Sequence, residues 1–71
     1  MKGEQWHELN FGAVLTRNGE PVRISSRRKR LPSAAVTDTL IRDAERIVGP
    51  VAVGRWRYNR ETQEWEAPLT R

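Results

Sequence analysis

Apolar and polar residues alternate with a period of two from Phe11 to Ile24, interrupted once by Asn18-Gly19. That dipeptide signals a type I′ turn, because both of its central positions need positive φ. Pairing about the turn sets Arg17 against Glu20, Leu15 against Val22 and Ala13 against Ile24. One face then carries Phe11, Ala13, Leu15, Val22 and Ile24, and the other Val14, Thr16, Pro21 and Arg23. Pro21 cannot donate to a ladder, so the second strand is expected at a local edge. Over residues 33–48 the period lengthens to that of a helix. Val36, Leu40, Ile41, Ala44, Ile47 and Val48 form an apolar stripe, Ser33 suits the N-cap, and Gly49-Pro50 stops the element. Residues 51–67 return to alternation around Asn59-Arg60-Glu61-Thr62. This register sets Trp56 opposite Trp65, Arg57 opposite Glu64 and Arg55 opposite Glu66, with Tyr58 on the face of the two tryptophans.

The predicted class is α+β, with the order ββαββ and one helix laid over an antiparallel sheet of two hairpins. Residues 1–10 show little pattern and are expected to be poorly ordered or folded back, with Trp6 as the anchor. The 71 residues suffice for a single small domain. Below about 70–80 residues a core rarely supplies more than ~3–5 kcal/mol without a staple. With no cysteine, neither a disulfide nor a thiolate metal site provides one. A thin core and an exposed edge strand leave a homodimer open. No apolar run approaches the ~18–20 residues that span a bilayer, and the first residues lack the apolar stretch of a signal peptide. No membrane partner and a cytoplasmic setting are therefore expected.

Charge sharpens the picture. Five basic residues (Arg23, Arg27, Arg28, Lys29 and Arg30) and no acidic one lie in residues 21–37. The other 54 residues hold eight basic and nine acidic side chains, so the whole net charge of +4 arises in one segment. The basic loop, residues 26–32, combines the Ser26 hydroxyl with four consecutive cations and precedes a helix N-terminus. Hydroxyls, guanidiniums and free amides are the groups that take phosphate oxygens. The same run also suits a solvated loop, and Arg-Arg-Lys-Arg resembles a short targeting or processing tetrapeptide.

The second hairpin interleaves arginine with aromatics, as single-strand binders do. A core this small needs Trp56 and Trp65 for burial, which leaves Tyr58 and Arg60 as the exposed members. Within residues 54–68, Tyr58, the Asn59-Arg60-Glu61-Thr62 turn and Trp65-Glu66-Ala67-Pro68 resemble the second half of a WW domain. The resemblance implies a proline-rich peptide ligand, with Tyr58 and Trp65 as its contacts. It covers about 15 residues, and the strand after the threonine is two residues shorter than the family's. The family's leading tryptophan strand is missing, and a helix precedes the hairpin instead. We read the likeness as convergence on hairpin chemistry.

Catalysis finds no constellation. His7 is the only histidine, and the helix carboxylates Asp38, Asp43 and Glu45 are not spaced to sit side by side. The expectation is a non-enzymatic accessory protein with no cofactor or metal. It would bind DNA or RNA through Arg23, Ser26, Arg27, Arg28, Lys29 and Arg30, with Arg17, Arg60 and Tyr58 at the hairpins. The alternative is a protein-interaction module docking on an acidic protein surface, with Val14 or Tyr58 as apolar anchor.

Overall fold

The Asn18-Gly19 turn forms as its sequence requires, with φ of 53° and 82°. It joins β2 (Gly12–Arg17) to β3 (Glu20–Ser26) in a computed structural model that describes residues 3–71. The other elements are β1 (Glu4–Glu8), α1 (Ala34–Val48), β4 (Ala52–Val53), β5 (Arg57–Asn59) and β6 (Glu64–Thr70). The class is α+β: one helix and a six-stranded antiparallel sheet in the order β1-β2-β3-β6-β4, with β5 also on β6.

The sheet departs from two hairpins in two ways, and each has a physical cause. The N-terminal stretch is not without structure, because Glu4–Glu8 pairs along β2 through the tight Leu9-Asn10-Phe11 connection. Its sequence carries no strand signal, because its residues are almost all polar or exposed. The last partner of β6 is broken into β4 and β5. The Pro68 carbonyl accepts from the Gly54 amide at 2.8 Å. In an antiparallel strand a residue's N–H and C=O point to the same neighbour. The N–H that Pro68 lacks would therefore have served that same strand.

Both hairpin registers differ from the sequence expectation. Arg17 does face Glu20, but after Pro21 the ladder slips by one residue, so that Leu15 faces Arg23 and Val14 faces Ile24. Val22 is the extra residue of the bulge. A one-residue slip exchanges faces. Val14 and Ile24 therefore point to the helix, while Ala13 and Leu15 point away. The second hairpin is offset by two, with Tyr58 opposite Trp65 and Arg57 opposite Glu66. The Asn59 Oδ1 accepts from the amides of Glu61 and Thr62 at 2.9 and 3.3 Å, and Gln63 adopts φ of 59°. The loop is thus residues 60–63, and an even offset leaves the faces unchanged. The two expected arginine–glutamate pairs of this hairpin do not form. The Glu66 carboxylate instead accepts from Asn59 Nδ2 at 3.3 Å and lies 3.9 Å from Arg23.

The helix matches its expected span. Ser33 Oγ accepts from the Val36 amide at 3.2 Å, and Gly49 closes the other end with φ of 80°. Leu40, Ala44 and Val48 are buried, while Ile47 from the same stripe is exposed. The core joins Leu9, Val14, Ile24, Leu40, Ala44, Ala67 and Leu69, with Trp56 half-buried against it and donating to Thr37 Oγ1 at 3.1 Å. Trp65 is only half-buried and lies outside that cluster.

The face away from the helix has its own cover. Trp6, Leu15 and Arg23 are neighbours in one row across β1, β2 and β3. The Arg23 guanidinium lies 5.8 Å from the Trp6 ring centroid, across Leu15, which is left only 2% exposed. An arginine and a tryptophan thus do for Leu15 what a second helix would do in a larger domain.

At Gly12 a Cβ would lie 1.8 Å from the Ser25 carbonyl oxygen, so β2 and β3 meet here too closely for any side chain. Gly12→Ala should cost about 2–3 kcal/mol, the upper part of the range for overpacking. Urea unfolding checks this, and an unchanged midpoint would refute the close approach.

Candidate nucleic-acid interface

Three connections meet at one end of the sheet: the β1–β2 turn, the β5–β6 turn and the basic loop that leaves β3. The loop is built by local hydrogen bonds. Ser26 Oγ accepts from the Arg28 amide at 3.2 Å, turning the chain out of the strand. The Arg27 amide donates to the Phe11 carbonyl at 3.0 Å. Two residues on, the indole Nε1 of Trp65 donates to the Lys29 carbonyl at 3.0 Å, which ties the loop down onto the sheet. Pro32 is buried and Ser33 then caps the helix. Backbone and hydroxyl groups are used inward, and the cationic side chains are left outward.

The expected site residues separate into two groups. Arg28, Lys29 and Arg30 are exposed, and no ion pair joins them to any carboxylate among the described residues. The Arg28 guanidinium lies 5.4 Å from the Phe11 ring centroid. Arg60 stands exposed on the β5–β6 turn at the same end, and Tyr58, 44% exposed, lies in β5 two residues before it, opposite Trp65.

The other group is occupied or displaced. Ser26 is 0% exposed, so its hydroxyl shapes the loop and does not meet solvent. Arg27 is paired with Glu8. Arg23 is drawn to Trp6 and Glu66, with its Nε shielded from water. Arg17 sits at the Asn18-Gly19 turn, the far end of a seven-residue strand and so about 20 Å from the loop. There it donates from Nη2 to Glu4 at 2.7 Å. Val14, the alternative apolar anchor, is wholly buried.

Sequence reasoning missed the parts that hold the loop: Trp65 as its clasp and Phe11 beneath Arg28. The signal for Trp65 was its alternation with Ala67 and Leu69, which places all three on one face of β6, the first at the loop end. It also missed a groove of about 470 Å³ on the opposite face, among Val22, Arg23, Arg55, Arg57, Glu66 and Pro68.

The salt bridge of Glu4 to Arg17 is the best-formed ion pair. The hydrogen bond from Arg17, and then its charge, hold the Glu4 carboxyl below the usual carboxylate range. A depressed acid pKa contributes stability above the unfolded value that is lost as pH falls through the folded one. On this exposed surface the contribution is small. Among the described residues no three His, Cys, Asp or Glu side chains gather as a metal site would require, and His7 is engaged with Thr16 Oγ1 at 3.1 Å. Among the described residues no helix is long and apolar enough to cross a membrane. The chain matches no protein-family model, no curated protein and no solved structure.

Two outcomes follow from this geometry. Trp65→Phe removes the donor to Lys29 but keeps a ring, so it should cost about 0.5–1.5 kcal/mol. It should also speed native-state trypsin cleavage within residues 27–30, and cleavage at the wild-type rate would show that the indole does not hold the loop. In an NMR titration the Glu4 carboxyl should have its midpoint below the usual carboxylate range, and Arg17→Ala should return it there.

Proposed function

We propose that this chain is a small non-enzymatic accessory or regulatory protein that binds nucleic acid, with Arg28, Lys29, Arg30 and Arg60 gripping the phosphates. The observation that carries the reading is the clustering of unpaired cations: Arg42, Arg46, Arg55, Arg57 and Arg60 also lack an ion pair among the described residues, but only the loop sets three such cations side by side. Ion pairs engage Arg17, Arg23, Arg27 and Arg71, while three consecutive cations in the loop have no such partner among the described residues. A polyanion satisfies closely spaced cations better than a single carboxylate does, and arginine does so bidentately. The free amides at the start of α1, immediately after the loop, add to the attraction. A cytoplasmic setting belongs to the same reading, in line with a chain without cysteine.

The experiment is fluorescence anisotropy of labelled oligonucleotides over a salt series. Four phosphate contacts should give a log–log slope of about −3 to −4. A variant with Arg28, Lys29 and Arg30 changed to alanine should lose most of that slope, while Arg17→Ala should leave it unchanged. No binding at low salt would remove the reading in favour of an acidic protein surface as partner.

A further inference from the structure

We infer that the nucleic acid taken by this site is single-stranded, with an unpaired base stacked on Tyr58. The inference rests on the nucleic-acid reading above and adds the class of ligand.

The argument begins with the last row of the sheet. Gly12 faces Ser26, Ser26 faces Trp65, and Trp65 faces Tyr58, so the four positions lie side by side across β2, β3, β6 and β5. The first two carry almost no side-chain bulk, and the last two are aromatic. All four lie on the face that α1 covers elsewhere. Trp56, two residues before Tyr58 on the same face, is half-buried and bonded to Thr37 of the helix, whereas Tyr58 is 44% exposed. The cover therefore stops between these two aromatics.

Tyr58 is held rather than loose. Its ring meets Trp65 edge-on, with centroids 5.4 Å apart and planes at 63°. The same indole holds the Lys29 carbonyl at 3.0 Å. One side chain thus fixes both the exposed ring and the cationic loop, and sets them next to each other. On the other side Arg60 follows Tyr58 by two residues, on the turn. A ring flanked by cations on both sides is suited to a base with phosphates before and after it. A duplex keeps its base faces inside the stack and offers none to a ring. A bare basic loop would bind duplex and single strand alike through phosphate, so the exposed Tyr58 decides between them.

The test compares a labelled single-stranded DNA, an RNA of the same sequence and the corresponding duplex DNA at one salt concentration, with wild type, Tyr58→Phe and Tyr58→Leu. Tyr58→Leu keeps an apolar side chain against Trp65 but offers no aromatic face. Thermal melting of each variant reports whether the fold is kept. The expected result is tighter binding of single strands than of duplex, at least about a fivefold loss for Tyr58→Leu on single strands only, and wild-type affinity for Tyr58→Phe. The two single strands tell DNA from RNA. Equal or tighter binding of duplex, or an unchanged Tyr58→Leu variant, would overturn the inference and leave the phosphate grip standing. No binding of any nucleic acid would overturn both. A proline-rich peptide that binds through Tyr58 without salt dependence, in place of the oligonucleotides, would assign the ring to a protein partner instead.

Discussion

The register of β2 against β3 slips by one residue directly after Pro21, where Val22 bulges out of the ladder. Most of the architecture follows from that slip. It turns Val14 and Ile24 together toward α1, where both are 0% exposed, and sends Ala13 and Leu15 to the opposite face. Because β6 pairs with β3 beyond the bulge, Ile24 aligns Ala67 with the core and Ser26 aligns Trp65 with the loop. Without the slip, β2 would show its other face to the helix. A core with so few large residues has no second way to fill that space.

Trp65 connects this constraint to the basic loop. A run of adjacent cations has no internal reason to lie against the sheet, since like charges repel and favour an extended, solvated chain. The structure holds it by its backbone instead, through Ser26 Oγ at one end and the indole of Trp65 further along. Each such hydrogen bond is worth about 0.5–1.5 kcal/mol net. The loop is therefore positioned mainly through its backbone, with Glu8 on Arg27 and Phe11 beneath Arg28 as added side-chain contacts, and Lys29 and Arg30 stay exposed.

The helix was legible in full, because caps and apolar spacing are both local signals. So were the Asn18-Gly19 turn and the aromatic face of the second hairpin. What could not be read depended on long-range pairing. The bulge at Val22 shows only once β6 lies beside β3, and the break between β4 and β5 follows from Pro68, fourteen residues beyond Gly54. β1 has no apolar alternation to betray it. Of the expected site, the cations at residues 28–30 and Tyr58 come together at one end of the sheet, which their proximity in sequence to Ser26 and Trp65 foreshadows. Arg17, Arg23 and Arg27 do not join them, because Glu4, Glu66 with Trp6, and Glu8 engage them, partners that emerge only once the register is known.

The two groups of arginine perform opposite tasks, and the contrast explains why charge is concentrated as it is. On the face without a helix, Arg23 covers Leu15 and lies near Glu66, and Arg27 pairs with Glu8, so both guanidiniums have a carboxylate beside them. At the sheet end the same residue type is unmatched and crowded. Spreading those charges over the surface would relieve their repulsion at no cost to packing, since Arg28, Lys29 and Arg30 are all exposed. A fold with a margin of only a few kcal/mol nevertheless retains the crowding. Crowded, exposed cations attract most strongly an anion that presents several charges in line, as a row of phosphates does. The exposed Tyr58 beside them makes the same argument for a base: an aromatic left in water, on a rigid support, gains most from a partner that covers it.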